Sequence, residues 1–98
     1  MSLFICAKCG CVDNTATSDY WALTMLVPKG VFDNLEIDPS LEMYKGEALC
    51  SECARVVFEN RDGKEITKIV PGKWHGKFEK KPATDKEKAD VGYKGKLP

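Results

Sequence analysis

Two Cys-x-x-Cys pairs, Cys6-Ala7-Lys8-Cys9 and Cys50-Ser51-Glu52-Cys53, limit what this chain can become more than any other feature. A pair at that spacing on a tight turn aims both sulfurs at one point. Two such turns facing each other bring four thiolates to tetrahedral positions about 2.3 Å from a zinc ion. Cys6, Cys9, Cys50 and Cys53 are therefore the expected metal ligands. Zinc is the expected ion, and iron is the alternative that the same four sulfurs accept. Four-thiolate closure leaves no open coordination position, so the ion is expected to be structural and catalysis at the metal is not expected.

Size explains why a staple is needed. The chain has 98 residues, and from Pro82 onward it lacks core-forming side chains. A metal-binding domain is expected over residues 1–81 and a flexible, charged tail over residues 82–98. In so small a core, apolar burial barely exceeds the conformational entropy lost, and a metal or disulfide commonly makes up the difference. Five cysteines is an odd number, and Met1-Ser2-Leu3-Phe4-Ile5 has neither the basic region nor the long apolar run of a secretory signal. A cytoplasmic, reduced setting is expected, where paired Cys-x-x-Cys reads as metal-binding or redox-active. The longest apolar run, residues 21–27, is broken by Thr24 and far too short to cross a bilayer, so no membrane partner is expected.

The net charge is zero but unevenly spread. Residues 1–54 balance to −5, residues 55–70 to +1 and residues 71–98 to +4. A zinc tetrathiolate would add its own negative charge to the first part. Only the last third is basic enough to touch nucleic acid, and its lysines are interleaved with acids.

Taken in order, Leu3-Phe4-Ile5 reads as a short strand entering the first cysteine turn, where Gly10 can take a positive φ. Cys11 follows two residues after Cys9; a C-x-C pair can also chelate, but the two equal turns already complete four ligands, so Cys11 is expected to be a free thiol. Residues 12–18 are small and polar, a loop by composition. Residues 20–27, closed by Pro28, show too little alternation for a half-exposed strand and are expected to form a buried one, with a short helix as the alternative and with Tyr20 and Trp21 in the core. Asp38-Pro39-Ser40-Leu41-Glu42-Met43-Tyr44 carries a capping Asp, Pro at the first helical position and an early acid, which predicts one or two helical turns. Glu47-Ala48-Leu49 should lead into the second cysteine turn as a short strand.

After Cys53 the signal sharpens. Residues 55–61 and 64–70 flank Asp62-Gly63, which suits a two-residue hairpin turn. Pairing about it sets Val56 opposite Ile69 and Phe58 opposite Thr67 on one face, and Val57 opposite Lys68 and Arg61 opposite Lys64 on the other. Lys73-Trp74-His75-Gly76-Lys77-Phe78 follows; if extended, Trp74, Gly76 and Phe78 pack inward and His75 faces solvent.

Cys6-Ala7-Lys8-Cys9-Gly10 and Cys50-Ser51-Glu52-Cys53 resemble the metal knuckles of the rubredoxin and zinc-ribbon group. More narrowly, Cys9-Gly10-Cys11, Gly46-Glu47-Ala48-Leu49 before the second knuckle, and Gly72-Lys73-Trp74-His75-Gly76 resemble small uncharacterised bacterial and phage proteins with a rubredoxin-like ribbon. The resemblance implies a mainly β, metal-bound zinc ribbon with short hairpins and little helix, and it implies no activity. True rubredoxins carry Pro and Gly where this chain has Ser51 and Ala54, which counts against electron transfer.

The function expected is a non-catalytic zinc-binding domain that serves as a binding module, with a protein partner ahead of nucleic acid. The alternative is a rubredoxin-type iron electron carrier. A dithiol redox enzyme ranks behind both, because neither pair has the strand-then-helix setting that lowers a thiol pKa. No Ser-His-Asp set or phosphate-binding glycine loop is present, and one histidine is too little for ordinary acid–base work. Lys73, Trp74, His75 and Lys77 form the one stretch that mixes cations with an aromatic, as a nucleic-acid or partner surface would. The plainer reading of that stretch is a final strand with solvating lysines.

Overall fold

Chain order explains the first sheet. In the computed structural model, which describes residues 2–98, β1 (Leu3–Ile5) turns through the first cysteine pair and returns as β2 (Cys11–Asn14). The two strands run antiparallel, with Phe4 opposite Asp13 and Ile5 opposite Val12. Gly10 takes φ 76° at the turn, as expected.

The next elements are helical. A π-helical turn, Ala22–Leu26, runs directly into a short α-helix, α1 (Val27–Lys29). The strand expected over residues 20–27 is thus replaced by helix. Tyr20, Leu23, Thr24 and Val27 are buried while Trp21, Met25 and Leu26 are exposed, which is the i, i+3, i+4, i+7 stripe of a helix. Pro28 has no N–H to give and crowds the carbonyl four residues earlier. The turn before it is widened, with the Val27 N–H donating to the Ala22 carbonyl five residues back.

The second sheet has β5 (Lys64–Val70) at its centre, β3 (Leu35–Ile37) parallel to it on one side and β4 (Arg55–Arg61) antiparallel on the other. All four expected pairs across the hairpin are present: Val56 with Ile69, Phe58 with Thr67, Val57 with Lys68, and Arg61 with Lys64. Asp62 and Gly63 take φ of 52° and 79°, the doubly positive turn that matches strand twist. Between β3 and β4, the expected helical turns form as a 3₁₀ helix, Pro39–Tyr44, whose Asp38 cap accepts the Ser40 N–H at 3.0 Å. Residues 47–49 form no strand; their link to the first knuckle is the Ala7 N–H donating to the Ala48 carbonyl at 2.8 Å.

The segment from residue 82, expected to trail from the domain, is tied to it. β6 (Lys81–Pro82) pairs with the free side of β2, setting Cys11 opposite Pro82, and the Ala83 N–H donates to the Gly10 carbonyl at 2.9 Å. Thr84 and Glu87 form a reciprocal capping box at the start of α2 (Asp85–Asp90). The chain then returns across β1, where the Leu97 N–H donates to the Leu3 carbonyl at 2.9 Å. Backbone hydrogen bonds, the Tyr20 Oη–H donating to the Lys94 carbonyl at 3.2 Å, and one small buried residue, Ala83, hold this segment in place, with none of its own large apolar side chains buried, so its apolar composition gives no sign of it.

Strand accounts for 28% of residues and helix for 26%. The two sheets carry the architecture, with more helix than the sequence led us to expect. The main core joins Leu23, Val27, Leu41, Leu49, Ala54 and Ile69 with Cys6 and Cys50. A smaller cluster holds Phe4, Tyr20 and Ala48. Among the described residues, no helix is long and apolar enough to cross a membrane.

Candidate metal centre

The two knuckles are built by the same local logic. In the first, the Gly10 N–H returns to the Cys6 carbonyl at 3.0 Å and the Cys9 N–H points to the Cys6 sulfur at 3.5 Å. In the second, the Cys53 and Ala54 N–H groups both return to the Cys50 carbonyl at 3.1 Å. Each turn leaves its two sulfurs on one side. The sulfurs of Cys6, Cys9, Cys50 and Cys53 all lie within 4.8 Å of one another, and Cys9 and Cys50 Sγ are 3.5 Å apart. Four sulfurs around one ion at the usual zinc–sulfur distance stand about 3.8 Å apart, so the set fits a single tetrahedral ion. Cys6 and Cys50 are buried, Cys53 is half-buried and Cys9 is exposed.

Electrostatics explains why a dication suits this place. A hydrogen bond with the Cys50 thiol, with backbone N–H groups adding to it, holds the Cys6 thiol down at about 4. That first negative charge raises its neighbours. Cys50 is pushed far up, first by its hydrogen bond to Cys6 and then by burial. Burial and then the Cys6 charge push Cys53 up to about 12. One thiolate forms readily and further ones are opposed, and a dication removes that opposition.

Cys11 lies outside the group of four. It is buried, and its thiol is pushed up by that burial and by a hydrogen bond with Cys9. Lys80 reaches the rim of the site, with Nζ 2.6 Å from Glu52 Oε2. The Glu52 carboxylate, with the nearby Cys9 sulfur, raises the Lys80 ammonium above its usual range.

A residue that sequence reasoning passed over supports the second knuckle. Asp13 on β2 is fully buried. Its Oδ2 accepts the Ser51 N–H at 2.8 Å, inside the second Cys-x-x-Cys turn. Its Oδ1 accepts the Asn14 N–H at 2.7 Å and stands 2.8 Å from His75 Nε2. His75 was expected to face solvent and does not: its side chain is only 9% exposed. The Lys77 N–H donates to His75 Nδ1 at 2.8 Å, so that nitrogen carries no proton and Nε2–H is the donor to Asp13. The imidazole is stacked on Trp74 and flanked by Phe78, with ring centroids 4.6 Å away in each case. The 73–78 segment is therefore curled around His75 rather than extended, with Trp74 Nε1–H donating to the Phe78 carbonyl at 2.7 Å. An acid in a polar loop gives no sign of this role; only the pairing of β2 with β1 and the return of residue 75 bring the groups together.

The structure thus gathers all four expected cysteines at one point, keeps Cys11 beside them, and turns His75 from the surface into the support of the second knuckle. No family model, no curated protein and no solved structure matches the chain.

Proposed function

We propose that Cys6, Cys9, Cys50 and Cys53 hold one structural zinc ion, and that the chain is a non-catalytic binding module of the zinc-ribbon, rubredoxin-like kind its knuckles resemble. The observation that carries this reading is the gathering of four sulfurs within 4.8 Å, two of them inside the main core. Sulfur donors at all four positions favour a closed site over a catalytic one. The one histidine supports the same view, since both ring nitrogens are engaged, by Asp13 and by the Lys77 N–H. A reducing, cytoplasmic setting suits five free thiols.

A second reading, an iron-loaded electron carrier, is favoured by the exposure of Cys9, which brings one ligand sulfur to the surface. Elemental mass spectrometry and a visible spectrum of one purified sample separate the two. One zinc per chain and no colour is the expected result. Iron with a red colour that bleaches on reduction would give first place to the carrier, and no metal at all would overturn both readings.

A further inference from the structure

Away from the cysteines, the helical turn that replaced the expected strand brings Trp21 and Met25 to the surface, where the returning residues 93–98 meet them. Between these segments lies a cleft of about 520 Å³, lined by Tyr20, Trp21, Met25, Tyr93, Lys94 and Lys96. Trp21 is 48% exposed and Tyr93 79%, unusual for large rings in a chain with so few to bury. Each ring has an ammonium beside it: Lys96 Nζ is 5.4 Å from the Trp21 centroid and Lys94 Nζ 5.7 Å from that of Tyr93.

We propose that this cleft binds a short stretch of single-stranded nucleic acid, with bases stacking on Trp21 and Tyr93 and phosphates meeting Lys94 and Lys96. The proposal rests on the binding-module reading above and names the partner class. Exposed π-faces interleaved with cations are the pairing that an unpaired base and its phosphate require, and stacking of this kind tolerates any base. Charge is complementary in the same direction, since residues 71–98 hold the chain's excess of lysine. Lysines also continue beyond the cleft, interleaved with acids: Lys88 shares a neighbouring depression with Lys94 and Glu47, and Lys86 one with Leu97, Glu87 and Asp90. Asp90 at the wall and Glu47, 4.0 Å from Lys94, temper that charge and confine binding to a short segment. Duplex DNA hides its base faces and cannot use the rings.

The test is fluorescence anisotropy of the metal-loaded full chain with a labelled ten-nucleotide oligothymidine, against a duplex of equal length, over a range of salt. The single strand should bind more tightly. Trp21→Leu and Tyr93→Leu should each weaken it about 5- to 100-fold, and Lys94→Gln with Lys96→Gln should lower the salt slope by about 0.7 each. Metal content and circular dichroism are recorded for every variant; should Trp21→Leu unfold, Tyr93→Leu, at an almost fully exposed ring, carries the comparison. The proposal is overturned by no binding, by equal binding of duplex, by aromatic variants that bind as the parent does, or by equal competition from polyglutamate. Any of these with zinc still bound sinks the nucleic-acid site and leaves the metal centre standing.

Discussion

Asp13 and His75, 62 positions apart, meet at 2.8 Å, and the same carboxylate holds the Ser51 N–H of the second cysteine turn. The buried acid thus fixes a knuckle and a distant loop at once. Asp13→Asn replaces one acceptor with an amide that faces a donor, and should cost about 1–3 kcal/mol. Urea unfolding of the zinc-loaded chain measures the loss, and release to a chromogenic chelator should be faster. His75→Gln keeps a donor and should lose less than His75→Phe.

Cysteine replacement separates the ligands from their neighbour. Cys50→Ser should leave most of the chain unfolded, because structural zinc in small peptides contributes an apparent ~10–16 kcal/mol against a whole-domain stability of ~5–15 kcal/mol. Cys11→Ser should leave the zinc content at one per chain. Equal loss in both would show that the set of four is wrongly assigned.

Zinc affinity should fall as pH falls. In the metal-free fold Cys50 and Cys53 are both raised above the ordinary thiol value, Cys53 to about 12, so both thiols are protonated at pH 7. Binding must expel at least those two protons, and proton release rises where the metal competes with them. Calorimetry in buffers of different ionisation enthalpy counts the protons. In the small fraction of metal-free chain that stays folded, the raised Cys53 favours the fold below its unfolded value near 9, and that contribution disappears as pH climbs toward 12. Fewer than two protons released per zinc at pH 7 would contradict this account.

Gly95 tests whether the last residues belong to the fold. It holds φ 74°, and a Cβ there would press on the Ile5 carbonyl oxygen at 2.6 Å. Gly95→Ala should therefore destabilise the chain by about 1–2 kcal/mol, through left-handed strain and displacement of the returning segment from β1. Thermal unfolding reads the loss. A silent substitution would mean that residues 93–98 do not pack there in solution.

The parts legible in the sequence were those written locally. The β4–β5 hairpin is specified by Asp62-Gly63 and the alternation around it, and its register follows. The knuckles are specified by spacing, and four sulfurs meet as expected. The helix at residues 20–29 was written in the stripe of Tyr20, Leu23, Thr24 and Val27, but the closing Pro28 and a continuous apolar run made a strand look as good. Asp13 and His75 carry no local mark, since each reads as an ordinary polar residue until the fold joins them. The attachment of residues 82–98 rests mainly on backbone hydrogen bonds, which composition does not record.

The bond from the Leu97 N–H to the Leu3 carbonyl joins two segments that are far apart in the chain, so neither can settle until both have been made. β1 is made long before the segment that comes to lie across it. The first knuckle waits for Cys50 and Cys53, and Asp13 waits longer still for His75. A growing chain therefore carries Cys6 and Cys9 as unliganded thiols beside Cys11 until the second cysteine turn is made, and Asp13 without its partner until His75 follows. On the proposed reading an ion can be held only once both cysteine turns are made, so metal supply acts on the chain after Cys53 and not before.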